Sequence, residues 1–114
     1  EFLSIMNLQV DKDSNGCLQD IHWFGGDFGY FPTYSIGAFI AAQLMVQLKK
    51  DLPNLDLILE NGEFNIITKW LRKNIHNKGN VYTINDLLKL VTGEELNTKH
   101  YEDHIRKRYI KKSF

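Results

Sequence analysis

Apolar residues recur along most of this chain at spacings of three and four positions, which is the period of an amphipathic helix. Five stretches predict helices, and they cover residues 35–50, about 54–60, 63–77, 83–92 and 98–111. The first of these is apolar nearly all round, so we expect it to be buried on most sides. Gln43 and Gln47 interrupt its apolar surface, and we interpret them as side chains that satisfy core polar groups.

Two of the predicted helices carry further signals. Thr83 precedes Asp86 by three positions, as in a capping box, and Gly93 is placed to end the same helix. We expect the last helix to turn four side chains inward, namely Tyr101, Ile105, Tyr109 and Ile110. Its other face is basic, which we interpret as a solvated surface instead of a nucleic-acid or membrane patch.

Residues 16–34 depart from the helical pattern, because four glycines, one proline and several aromatic residues fall within nineteen positions. This composition predicts an irregular loop ahead of the long helix. We interpret Trp23, Phe28 and Phe31 as core rings. The fold class expected from the whole pattern is mainly α, with residues 1–114 forming a single helical unit of about five helices around this site loop.

The same stretch concentrates polar groups suited to a site. Gln19, Asp20 and His22 supply hydrogen-bond donors, acceptors and one titratable proton within four positions. Loops held on a rigid scaffold are where binding and catalytic groups concentrate. Residues 16–34 are therefore the candidate site of the chain.

Composition narrows the classes of partner and compartment. Fourteen Lys and Arg residues balance fourteen Asp and Glu residues, so no overall field indicates nucleic acid or an acidic membrane. The longest apolar run, 36–48, is shorter than the roughly 20 residues that cross a bilayer. The single cysteine, Cys17, excludes an internal disulfide and favours a reducing, cytoplasmic location.

Glu1–Leu8 resembles the end of a helix whose beginning is missing, which predicts a fragment of a longer chain.

A second function is suggested by residues 11–22, which resemble a calcium-binding EF-hand loop. Asp11, Asp13 and Asn15 occupy the first three ligand positions and Gly16 the invariant glycine position. The twelfth position, however, holds His22 where a bidentate Glu is needed. The alternative function left open is a small helical binding module that uses this EF-hand-like loop to hold a partner.

His100 and His104 form a further candidate, since their spacing of four places both on one helix face. Zinc peptidases use that spacing in the H-E-x-x-H motif, but here no Glu follows His100 and no third ligand is near. We interpret the two residues as exposed histidines.

A family resemblance rests on two runs within the site loop. Residues 16–23 read GCLQDIHW and resemble the GxxQDxHW motif of the carboxypeptidase Taq family of metallocarboxypeptidases. Residues 28–34 read FGYFPTY and resemble the run that follows the motif in that family. Phe24 departs from the small polar residue expected there. The resemblance covers the last part of the family's chain and continues through Thr83 to Gly93, but it does not include the metal site.

The resemblance implies the C-terminal piece of an all-α, zinc- or cobalt-dependent carboxypeptidase that removes C-terminal residues from peptides. In that family an H-E-x-x-H helix and a downstream Glu hold the metal, and neither occurs in this sequence. The chain alone is therefore expected to bind no metal and to be inactive. The implied partners are a peptide substrate, the missing N-terminal part and, for the full-length enzyme, a second subunit in a homodimer.

Within this interpretation the site loop supplies one wall of the cleft. Carboxypeptidase chemistry needs donors for the substrate carboxylate and for the charge that develops on the peptide carbonyl. We expect His22 and Tyr34 to be catalytic. The expected substrate-binding residues are Gln19, Asp20 and Tyr30. For the tyrosines, the alternative is a core ring with a satisfied hydroxyl.

Overall fold

The computed structural model describes residues 2–110, without the side chain of Phe2. Over this range the chain forms seven α-helices and no strand, so the mainly α fold class is confirmed. The helices are α1 (Phe2–Met6), α2 (Ile21–Gly25), α3 (Pro32–Asp51), α4 (Leu55–Glu60), α5 (Phe64–Asn74), α6 (Ile84–Thr92) and α7 (Lys99–Ile105). Three short 3₁₀ turns and a π-helical segment, Arg106–Ile110, complete the described backbone.

The chain divides into two compact units, whereas the sequence predicts one. The boundary lies between Tyr34 and Ser35, within the first turn of α3. The first unit contains the site loop. The second contains α4 to α7 and most of α3.

The second unit has a core built on three buried side chains, Leu48, Leu55 and Trp70. Partly buried apolar residues pack against them, namely Leu44, Leu52, Ile67, Leu71 and Val91. Each fully buried side chain of this size stabilises the fold by about 1.5–3 kcal/mol. The indole N–H of Trp70 donates to a carboxylate oxygen of Asp51 at 2.8 Å, which satisfies the one polar group of the ring.

Helix α3 starts earlier and is less buried than the sequence predicts. It begins at Pro32, because the fixed φ of proline suits the first position of a helix. The expectation that it is buried on most sides is wrong for the described chain, in which only Gln43 and Leu48 of this helix are buried. The core packs along one face, and Met45 on another face stays 44% exposed.

Gln43 links α3 to the loop after α6. Its Nε2 donates to Thr92 Oγ1 at 2.9 Å and to the carbonyl of Glu95 at 3.0 Å. Its Oε1 accepts from the backbone N–H of Asn97 at 3.0 Å. The side chain is 1% exposed, so the prediction that Gln43 satisfies core polar groups is confirmed.

The same loop corrects the interpretation of His100. Its Nε2 lies 2.6 Å from a carboxylate oxygen of Glu94, and its side chain is only 21% exposed. The interpretation of two exposed histidines is therefore wrong for His100, because the loop after α6 brings Glu94 against α7. His104 is exposed as expected.

The capping signals of α6 are confirmed. Thr83 Oγ1 accepts from the Asp86 N–H at 3.2 Å and donates to the Asp86 carboxylate at 2.7 Å. Gly93 ends the helix with a φ of 87°, a left-handed conformation that favours glycine.

Two helix ends differ from the prediction. α5 ends at Asn74, and the remainder of the predicted helix is a 3₁₀ turn at His76–Lys78. The last predicted helix becomes π-helical after Ile105, and the wider turn changes which side chains share a face. Tyr109 and Ile110 are each 67% exposed, so their expected inward orientation is wrong. Residue 111 lies outside the described residues.

Candidate functional site

The site loop contains more helix than the sequence predicts. A 3₁₀ turn at Cys17–Gln19 is followed by α2, so the expectation of an irregular segment over 16–34 is only partly correct. Asp20 caps α2, because its Oδ1 accepts from the backbone N–H of His22 at 2.9 Å. Gly26 closes the helix with a φ of 78°. The cap therefore fixes the backbone position of His22 in the first turn of α2.

The Asp20 carboxylate also contacts the ring of His22. Its Oδ1 lies 2.7 Å from His22 Nδ1, and the two side chains are 11% and 21% exposed. Partial removal from water opposes the charged form of Asp20. The hydrogen bonds from the His22 backbone and ring outweigh it and lower the pKa of the Asp20 carboxyl from its ordinary value of 3.8. Asp20 is therefore an anion that accepts two hydrogen bonds from one residue.

The opposite edge of the same ring faces Tyr34. His22 Nε2 lies 3.2 Å from the hydroxyl of Tyr34, which stands on the first turn of α3. Because Nδ1 donates to Asp20, Nε2 of the neutral ring has a free lone pair and accepts from the Tyr34 hydroxyl. Asp20, His22 and Tyr34 thus form a continuous chain of hydrogen bonds.

Aromatic rings surround His22 on its remaining sides. Tyr30 stacks on the imidazole, with ring centroids 5.4 Å apart and planes 21° apart. Phe31 presents its edge at 4.9 Å. Tyr30 and Tyr34 meet edge to face at 5.4 Å, and Thr33 Oγ1 donates to the Tyr30 carbonyl at 2.6 Å. These contacts restrain the imidazole by one stacked ring and two edge contacts.

The aromatic residues of the loop are exposed in the described chain. Trp23 and Phe31 are each 52% exposed and Phe28 is 78% exposed, so the interpretation of these three as core rings is wrong here. Tyr30 and Tyr34 are 47% and 57% exposed.

The structure brings together four of the five residues singled out from the sequence: Asp20, His22, Tyr30 and Tyr34. Gln19 is directed elsewhere, because its Nε2 donates to the carbonyl of Ser14 at 2.5 Å. Sequence reasoning missed Phe31 as a contact of His22. Its only signal was its place between Tyr30 and a proline.

The described residues do not provide a metal site. Between residues 2 and 110, no group of three or more His, Cys, Asp or Glu side chains is placed to hold a metal ion. In the EF-hand-like loop, Asn15 Nδ2 donates to Asp11 Oδ1 at 2.9 Å. That hydrogen bond is the leading cause of a lowered pKa at Asp11. Because no such group of ligands is formed between residues 2 and 110, the divalent metal that the resemblance implies does not fit the donor set of this part of the chain.

Membrane insertion is not indicated by any helix in the described range. None of the helices over residues 2–110 combines the length and the apolar character that spanning a bilayer requires. This covers the apolar run at 36–48, which lies within α3.

Comparison with known proteins shows that the sequence and fold of this chain are similar to those of carboxypeptidases. The sequence profile of the Carboxypeptidase Taq (M32) metallopeptidase family matches residues 1–109. Carboxypeptidase 1 of Bacillus subtilis is 41% identical over 109 residues, which are 96% of this chain and 22% of that protein. Thermostable carboxypeptidase 1 of Pyrococcus furiosus is 38% identical over 110 residues, again 96% and 22% of the two chains.

Solved structures give the same result. The structure of Trypanosoma cruzi metallocarboxypeptidase 1 matches with a TM-score of 0.89 at 41% identity, covering 95% of this chain and 23% of that one. A Pyrococcus furiosus carboxypeptidase structure matches with a TM-score of 0.88 at 38% identity, covering 95% and 22%. The chain thus spans about a fifth of the length of the relatives it matches.

Proposed function

Because this chain belongs to the carboxypeptidase Taq (M32) metallopeptidase family, we propose that it is the C-terminal part of a carboxypeptidase that removes C-terminal residues from peptides. The activity is assigned to the longer protein, since the chain spans 22% of its relatives. The family implies a divalent metal in the full-length enzyme, which we propose to be zinc or cobalt. Its ligands are proposed to lie outside this chain, which by itself is proposed to be inactive.

The observation that carries the proposal is the accessible His22–Tyr34 pair. Peptide hydrolysis places negative charge on the carbonyl oxygen of the scissile bond, and fixed donors aimed at that oxygen lower the barrier. Tyr34 can rotate its hydroxyl proton from His22 Nε2 toward that oxygen, since 57% of its side chain is open to solvent. A protonated His22 has a second donor at Nε2 while Nδ1 stays bonded to Asp20. We assign both residues to stabilisation of the developing charge.

Substrate binding is proposed for residues beside this pair. Tyr30 stacks on His22 and keeps 47% of its side chain exposed, so its hydroxyl is available to the substrate's C-terminal carboxylate. The amide nitrogen of Gln19 is occupied by Ser14, so its carboxamide oxygen is the group proposed to accept from the substrate backbone. A homodimeric full-length enzyme in the cytoplasm stays a prediction, and the single free cysteine, Cys17, is consistent with a reducing compartment.

The test uses the full-length enzyme and matched peptides with a free or an amidated C-terminus. We expect release of the last residue only from the free acid. His22→Ala should lower kcat by roughly a hundredfold at unchanged metal content, since it removes a donor to the developing charge. The matched control is His104→Ala, an exposed histidine in the second unit, which should leave kcat unchanged. Equal hydrolysis of amidated peptides, or full activity in His22→Ala, would refute the proposal.

A further inference from the structure

We infer that Asp20 is a positioning residue that holds the imidazole of His22 in one tautomer and one orientation, acting through His22 instead of by contact with substrate. The inference rests on the proposed role of His22. It assigns to Asp20 a different task from the substrate binding expected from the sequence.

Burial and geometry separate Asp20 from the substrate-facing residues. Its side chain is 11% exposed, whereas Tyr30 and Tyr34 are 47% and 57% exposed. One oxygen, Oδ1, accepts both the backbone N–H of His22 at 2.9 Å and the ring Nδ1 at 2.7 Å. The carboxylate is thus directed at His22, at the start of α2.

The same oxygen restrains both the backbone and the imidazole ring of His22. Capping fixes the start of α2, and the bond to Nδ1 fixes rotation of the imidazole. Tyr30 on one face and the edge of Phe31 complete the restraint. With Nδ1 protonated, the neutral ring presents a bare Nε2, which accepts from Tyr34 at 3.2 Å and is the atom that takes up the proton when His22 becomes a donor. Without Asp20, the ring is free to protonate Nε2 instead, and the Tyr34 hydroxyl loses its acceptor.

The chain offers substitutions that separate capping from ring positioning. Serine is as good an N-cap as aspartate, so Asp20→Ser keeps the start of α2, but its short hydroxyl does not also reach Nδ1. Asp20→Asn keeps a carbonyl oxygen that accepts both bonds and removes only the charge. The control is Asp56→Ser in α4, where an exposed carboxylate pairs with Lys49 at 3.5 Å.

Kinetics of the full-length enzyme provide the first readout. Asp20→Ser should lower kcat by about tenfold to a hundredfold with little change in KM, by analogy with the loss when the carboxylate partner of a metal-bound histidine is removed. Asp20→Asn should recover most of that loss, and Asp56→Ser should match wild type. A raised KM at unchanged kcat in Asp20→Ser would overturn the inference, because it would mean that Asp20 binds substrate.

The second readout is the tautomer itself, measured by two-bond ¹H–¹⁵N correlation on full-length enzyme with ¹⁵N-labelled histidine. The His22 signals are identified by their loss in His22→Gln. We expect the Nδ1–H form in wild type and Asp20→Asn and a shift toward Nε2–H in Asp20→Ser. An unchanged tautomer in Asp20→Ser would overturn the inference.

The two proposals fail in different ways. If His22→Ala loses activity while Asp20→Ser keeps full kcat, Asp20 does not position a catalytic ring and the inference is overturned alone. If His22→Ala itself keeps full kcat, the proposed function of the pair fails, and with it any catalytic meaning of the Asp20 contact.

Discussion

Replacement of Tyr34 by phenylalanine tests the proposed charge stabilisation with the smallest possible change. The substitution removes one hydroxyl, whose partner is His22 Nε2 at 3.2 Å, and keeps the ring contacts with Tyr30 at 5.4 Å and Phe31 at 6.2 Å. Because that hydroxyl belongs to a side chain that is 57% exposed, its loss should lower the free energy of unfolding by about 1 kcal/mol or less. A donor to an oxyanion is worth about 2.7–4 kcal/mol, or roughly a hundredfold to a thousandfold in kcat.

The expected loss of catalysis is thus larger than the expected loss of folding stability, so the two effects can be told apart. Three quantities are measured on the full-length enzyme: kcat for release of the C-terminal residue, the melting temperature and the metal content. Tyr34→Phe should lose kcat with its melting temperature and metal content preserved. Trp70→Phe should do the reverse, since it removes the 2.8 Å bond to Asp51 in the core of the second unit. A correctly metallated Tyr34→Phe enzyme that keeps kcat within about threefold of wild type would show that the hydroxyl is not a transition-state donor.

Further predictions concern substrate binding, the core and acid stability. The Tyr30 hydroxyl is proposed to bind the substrate carboxylate equally in the ground state and the transition state. Tyr30→Phe should therefore raise KM more than it lowers kcat in steady-state kinetics. Gln43→Met leaves the partly buried N–H of Asn97 without its acceptor, at a cost of about 1–3 kcal/mol, so exchange of that amide should rise by roughly fivefold to a hundredfold. Gln47→Met, whose glutamine bonds only the exposed Asp51 carboxylate in the described chain, is the matched control and should change exchange little. Hydrogen bonds from Asn97 and then His100 lower the pKa of the Glu94 carboxyl from its ordinary value of 4.5. The ionised carboxylate should therefore stabilise the fold fully above pH 4.5, and this stabilisation should be lost as the pH falls through the lowered pKa. Melting curves of wild type and Glu94→Gln should therefore converge in acid.

The sequence predicted those features that depend on neighbouring residues. Thr83, Asp86 and Gly93 mark the ends of α6 because caps bond only to the adjacent turn. The apolar period likewise predicted helices at the positions of α3, α4 and α5, and the core of the second unit packs on these three helices because each buries an apolar face. Local chemistry was enough for both results.

The remaining errors arise where the contact that decides the outcome is not evident from helical periodicity or composition. His100 looked exposed because its partner, Glu94, is brought to it by the loop after α6. α2 was missed because its five residues include glycine and aromatic side chains, and only the cap from Asp20 makes the turn evident. The motif grouped Asp20, His22 and Tyr34, but their order in a hydrogen-bond chain required coordinates.

The bonds of Gln43 also bear on the order in which the second unit folds. They join residues separated by 49 to 54 positions in the sequence. Closing a flexible loop of that length costs about 3.5 kcal/mol of chain entropy, a cost that a helical turn does not carry. These contacts should therefore form after the transition state, once α3 and α6 already exist. Stopped-flow measurements on Gln43→Met should then show faster unfolding and nearly unchanged refolding.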